Sequence, residues 1–268
     1  RLSTRPPDRP GLTDRSRQDA HLQDERARVY ELATAAEWTL VARGFLVLLL
    51  LGLPLVAAGG VPDERELEEL PGARRVLYLS TVVSVGALAL ITWAVAALTG
   101  LEGGDLGWRA GPPRDMALWT VGASLAGLGV VWVLTRLGQL VGAEESPLVR
   151  FLLPRNRGER WGFAAVSAVA GVGEEYLFRG FLLHGLADWT GSVWLAVAVV
   201  SVAFGVGHGY QRAIGVVRSG VLGLLLALPV VFTGSLYPAI VAHFWINLAI
   251  GLGGWRTLVP PGGGEDIT

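Results

Sequence analysis

Residues 161–186 read Trp161-Gly-Phe-Ala-Ala-Val-Ser-Ala-Val-Ala-Gly-Val-Gly-Glu174-Glu175-Tyr-Leu-Phe-Arg179-Gly-Phe-Leu-Leu-His184-Gly-Leu186. The stretch is long and apolar enough to cross a membrane, because about 20 helical residues span a hydrocarbon core of about 30 Å. Yet it carries two adjacent carboxyls and a guanidinium. Such groups are costly near the bilayer centre unless paired or hydrated, and by default they mark a functional site. Helical spacing puts Glu175 and Arg179 four apart on one face, where they neutralise each other. Glu174 is turned about 100° away and keeps no local cation. A lone carboxyl in such a place suits proton transfer. For Glu175 and Arg179 a second reading stands beside the functional one: a buried pair that locks helix packing.

The rest of the chain agrees with a membrane setting. Of 268 residues, 51% are hydrophobic and only 17% charged, against about a quarter charged in soluble domains. Mean hydropathy is +0.47. Besides 161–186, the apolar stretches are Thr39–Ala58, Val76–Thr99, Met116–Val141, Ser192–Val206, Ala213–Phe232 and Ser235–Gly254. The expected fold is therefore an all-α, multipass transmembrane bundle of about seven helices, with six to eight as the range. The fifth stretch is short and the sixth carries Arg218, which sets that range. Residues 1–37 hold seven Arg against seven Asp and Glu, with Pro6, Pro7 and Pro10. They read as a disordered tail with a short helix from about Asp19 to Glu37. Residues 38–150 read as accessory helices, 151–255 as the catalytic core and 256–268 as a loose tail.

Several chemistries are excluded at once. The chain has no Cys, and all 22 of its basic residues are Arg. Thiolate metal sites, Cys nucleophiles and Lys Schiff bases are absent. A net charge of -1 gives no footprint for nucleic acid. The excess of Arg, Ala, Gly and Val over Lys, Asn and Ile points to a GC-rich bacterial genome, hence to a bacterial plasma membrane.

Two further polar patterns fall in the late helices. Phe204-Gly205-Val206-Gly207-His208 puts Phe204 and His208 on one face, with glycines that permit close approach or a helix break. His243-Phe-Trp-Ile-Asn247 again pairs residues four apart, and both of these can donate hydrogen bonds to an oxyanion. Each alone reads as a satisfied structural His or as interhelical polar glue. Depth links them: at about 1.5 Å per residue, Glu174, His208, His243 and Asn247 all fall in the middle band of the membrane. His184 lies near the helix end, round from Glu175, and stands outside this set.

The ordered set EExxxR, FxxxH, HxxxN on successive apolar helices resembles the CPBP family, the CAAX-protease and bacteriocin-processing intramembrane endopeptidases that include Rce1-type prenyl proteases. The likeness covers roughly residues 160–254. It implies a helical bundle around a water-filled cavity. Glu174 would be the general base that activates a water, and His208 would help to position that water. His243 and Asn247 would stabilise the oxyanion, while Glu175 and Arg179 orient the site. Nothing in the residues requires a cofactor. Zn2+ is the one the resemblance leaves open, with Glu174, His208 and His243 as its ligands. HExxH, GxSxG and an aspartyl dyad are absent from the core. The implied partners are the lipid bilayer and a peptide or membrane-protein substrate.

Two rivals remain at this level. A transporter or channel could use the Glu, His and Arg cluster as a proton or ion relay. It would show internal repeats, and none is visible between 39–141 and 161–254. A non-catalytic membrane scaffold could keep the same residues.

Overall fold

The fold is given by a computed structural model that describes residues 37–57, 69–143 and 145–254. Expectations for the N-terminal tail and its short helix, for the acidic stretch after Ala57 and for the C-terminal tail lie outside these residues.

The described chain is helical throughout. In order come α1 (Leu40–Ala57), α2 (Ala73–Leu98), a 3-10 turn (Gly103–Leu106), α3 (Pro113–Leu140) and the short α4 (Pro147–Phe151). Then follow α5 (Arg157–Glu175), a π segment (Tyr176–Leu182), α6 (Leu183–Thr190), α7 (Val193–Gly207) and a second 3-10 turn (Gly209–Gln211). Finally come α8 (Arg212–Thr233), α9 (Tyr237–Ala249) and a terminal π segment (Ile250–Gly254). The all-α membrane bundle expected from hydropathy is what forms. Three helices, Ala73–Leu98, Pro113–Leu140 and the run Gly209–Thr233, are long and apolar enough to cross a membrane. Shorter apolar helices run over Leu40–Val56, Val193–Gly207 and Tyr237–Gly253.

Sequence and structure differ at particular points. The apolar stretch ends at Leu186, but the helix continues through the π segment to Thr190 and takes in Asp188. There it pairs with Arg43 of α1 at 3.1 Å. Arg218 does not shorten the sixth helix. It is buried and paired twice with Glu145, at 2.6 and 3.1 Å, and bonded to Thr135 at 3.0 Å. Its charge is thus cancelled inside the bundle, as a buried guanidinium requires.

The packing order fixes where the late helices meet. α5 lies between α2 and α9, α8 packs on α7 and α3, and α9 packs on α3. Two glycines make the closest approaches of one helix to another's backbone. A Cβ at Gly205 would sit 2.7 Å from the Val216 carbonyl oxygen, so α7 and α8 touch backbone to backbone. A Cβ at Gly171 would sit 3.1 Å from the Ile240 carbonyl oxygen and 3.3 Å from the Phe244 nitrogen. That contact draws the His243 turn of α9 against α5.

Apolar side chains fill the core and also cover the outer surface. Leu40, Leu98, Leu140 and Trp161 are at least 80% exposed, while Glu175 and Arg179 are fully buried. Outward apolar faces suit hydrocarbon, where no backbone polar group can be left unpaired.

Candidate active site

The site begins at the end of α5. Glu174 and Glu175 are its last two residues, and the π segment that follows holds Arg179. A π turn inserts an extra residue into the ladder and recurs at functional sites. Here His184 satisfies the disturbed carbonyls: its Nδ1 lies 2.8 Å from the oxygens of both Arg179 and Gly180. His184 therefore supports the site's backbone from one turn beyond it, a role that its position near the helix end did not disclose.

Arg179 is held on three sides. It donates to Glu175 Oε1 at 2.9 Å and to the Gly223 carbonyl of α8 at 2.9 Å, and its guanidinium lies 4.5 Å over the Phe204 ring. One side chain thus ties α5, α7 and α8 together. The pairing of Glu175 with Arg179 follows the helical spacing.

His243 joins the two carboxyls. Its Nδ1 lies 2.7 Å from Glu175 Oε1, and its Nε2 lies 3.9 Å from Glu174 Oε2. Both glutamates therefore reach the same His, although the helical wheel turns them apart. His208 approaches from the other side, with its Nε2 4.0 Å from the same Glu174 oxygen. It caps the C-terminus of α7, and its Nδ1 donates to the Phe204 carbonyl at 2.8 Å. A carbonyl only accepts, so Nδ1 carries the proton and a neutral His208 turns its Nε2 lone pair to Glu174. The Glu175 carboxylate imposes the same tautomer on His243.

Glu174 Oε2 is buried and has no hydrogen-bond partner among the described residues. Its side chain as a whole keeps 18% exposure, so the carboxyl is not sealed inside the bundle as Glu175 is. Asn247 lies one turn beyond His243 on α9, half-buried, and its amide takes no part in this hydrogen-bonded set.

The zinc expectation can be tested on spacing. Ligands 2.0–2.1 Å from a tetrahedral zinc stand about 3.3 Å apart. The separations here are 3.9 and 4.0 Å, and among the described residues no group of three or more His, Cys, Asp or Glu could hold a metal ion. As placed, Glu174, His208 and His243 do not fit the ion, and no step below runs through one.

Three residues near the site escaped the sequence reading. Tyr210, in the 3-10 turn after His208, has its ring 5.8 Å from the His208 ring. Gln211 bonds Tyr210 and approaches Arg218. Glu145 anchors Arg218. Tyr, Gln and Glu in polar turns are ordinary, so nothing marked them.

Residues 156–249 match the Rce1-like family, described as type II CAAX prenyl endopeptidase Rce1-like. The match covers all three motifs, and it is the family they resemble. The match lies in the second half of the chain. No curated protein and no solved structure matches the chain.

Proposed function

We propose that this protein is an intramembrane endopeptidase that hydrolyses a peptide bond of a membrane-attached peptide or protein, with Glu174 as the base that activates water. The supporting observation is the unpartnered, buried Glu174 oxygen facing two imidazole nitrogens. Two groups that each hydrogen-bond one water at about 2.8 Å stand about 4.5 Å apart at the tetrahedral angle. The separations of 3.9 and 4.0 Å are too long for direct hydrogen bonds and bring Glu174, His208 and His243 within reach of one water.

The steps follow from the donor and acceptor inventory. Water has two protons to give, and Glu174, His208 Nε2 and His243 Nε2 can all accept. As water attacks the scissile carbonyl, Glu174 takes its proton, and the carbonyl electron pair moves to oxygen. Collapse breaks the C–N bond, and the proton passes from Glu174 to the leaving amine. Glu175 holds His243 in place and stabilises it if it protonates. Arg179 holds Glu175 in turn by its hydrogen bond. Asn247, one turn beyond His243, is the proposed amide donor to the oxyanion.

The test uses the purified full-length chain and a fluorescence-quenched peptide ending in a farnesylated CAAX sequence, the chemistry named by the matched family. Wild type should cleave it, and Glu174→Gln should fall to background while keeping its melting temperature, since the side chains are nearly isosteric. 1,10-Phenanthroline should leave the wild-type rate unchanged. Full turnover by Glu174→Gln, or no cleavage by wild type, overturns the reading.

A further inference from the structure

α7, with 15 residues, is shorter than α8, with 22, on which it packs. It ends at Gly207, and the chain turns back through His208 and Gly209–Gln211 into α8. The turn is strained. Arg212, which closes it, has φ 61°, the one positive value at a non-glycine among the described residues. Such outliers persist only where the surroundings over-determine them, and they cluster at active sites.

What over-determines this turn is a chain of directed contacts. Glu145 and Thr135 fix the Arg218 guanidinium. Arg218 Nη2 lies 3.5 Å from Gln211 Oε1. A guanidinium only donates, so the amide shows it oxygen and turns its NH2 the other way. That NH2 donates to the Tyr210 hydroxyl at 3.1 Å. Gly215 leaves the room: a Cβ there would overlap the Gln211 side chain. The Tyr210 oxygen is thereby used as an acceptor, and its own proton is left to donate elsewhere. Among the described residues nothing accepts it. Tyr210 is half-buried, and its ring lies beside the His208 ring at 5.8 Å.

Beyond the Asn247 amide proposed above, the imidazoles and carboxyls of the site offer the oxyanion no donor. Both His residues spend Nδ1–H on Phe204 and Glu175 and, when neutral, offer only lone pairs at Nε2. We propose that the Tyr210 hydroxyl is a further catalytic group, donating a hydrogen bond to the scissile carbonyl and to the oxyanion formed from it, with Gln211 and Arg218 as its positioning residues. This rests on the endopeptidase reading above. No proton is transferred from Tyr210: the water proton goes to Glu174 and then to the leaving amine, and the phenol only stabilises the charge that develops on oxygen.

Tyr210→Phe removes the hydroxyl and keeps the ring against His208. Cleavage of the farnesylated quenched peptide is measured for wild type, Tyr210→Phe and Glu174→Gln, with melting temperature and pH profile for each active protein. Loss of one oxyanion donor costs about 10²–10³ in turnover. Tyr210→Phe should therefore lose kcat on that scale, with KM, melting temperature and the shape of the pH profile unchanged. A kcat within twofold of wild type overturns the proposal. So does a loss that comes with a lowered melting temperature, which assigns the hydroxyl to packing. A displaced pH profile overturns it too, because Tyr210 would then be setting the ionisation of Glu174. If Glu174→Gln is silent and Tyr210→Phe is not impaired, only this inference fails. If Glu174→Gln is fully active, or wild type cleaves nothing, the endopeptidase reading fails and takes this inference with it.

Discussion

Glu174 and Glu175 differ by one position and by everything around them. Glu175 is fully buried and meets Arg179 and His243 through one oxygen. Glu174 Oε2 meets no donor among the described residues, and its side chain keeps partial exposure. Their mutants should fail in different ways. Glu174→Gln should lose turnover and keep its fold. Glu175→Gln should lose both, because it strands a buried guanidinium. Breaking a buried pair costs about 3–5 kcal/mol, so Glu175→Gln should unfold well below wild type in a detergent thermal melt. Equal melting temperatures for the two variants would deny Glu175 that role. These residues were legible in sequence because charges in apolar helices stand out. The sharing of His243 between them was not, since it depends on the close approach of α9 to α5.

At the scale of elements, hydropathy placed the long helices to within a few residues, because lipid imposes one composition along each span. Turns and registers were less legible. The π segment Tyr176–Leu182 has the same apolar composition as its flanks. Only the two carbonyl contacts of His184 show where the ladder slips. The glycines of the FGVGH motif had two open readings, and packing now separates them. Gly205 is pressed on α8, while a Cβ at Gly207 would meet nothing within 4 Å. Gly205→Ala should therefore destabilise by about 1–3 kcal/mol, the usual cost of overpacking, and lower cleavage by shifting His208. Gly207→Ala should be tolerated. Paired unfolding and activity measurements check this, and equal behaviour of the two would show that α7 and α8 yield freely.

At the scale of the molecule, a polar clamp joins α2 to α5 where both begin, ahead of the apolar run that starts at Trp161. Arg74 donates to the Phe151 carbonyl at 2.6 Å and to Glu159 at 3.2 Å, and the Arg155 N–H donates to Glu159 at 2.8 Å. Burial pushes the Glu159 carboxyl up, but the Arg155 N–H and Arg74 outweigh it and hold it below its ordinary value of 4.5. A carboxylate with a lowered folded-state value stabilises above its unfolded value and loses that contribution as pH falls through the folded one. Wild type should therefore lose thermal stability below about pH 4.5. Glu159→Gln should start less stable at pH 7 and show a flatter profile across that range. Parallel slopes for the two proteins would remove Glu159 from the account.

The brevity of α7 also has a consequence for the lipid. Its 15 residues rise about 22 Å, against a hydrocarbon layer of about 30 Å. Trp194, Leu195, Val202 and Val206 are exposed along it, so acyl chains meet this short span directly. A bilayer meets a short apolar span by thinning locally. Beside α7 the headgroups should dip toward His208, which carries bulk water closer to Glu174 and shortens the path that an extended peptide must travel. Membranes of shorter acyl chains should then ease that deformation, making bilayer thickness a control on the rate that no residue of the site supplies.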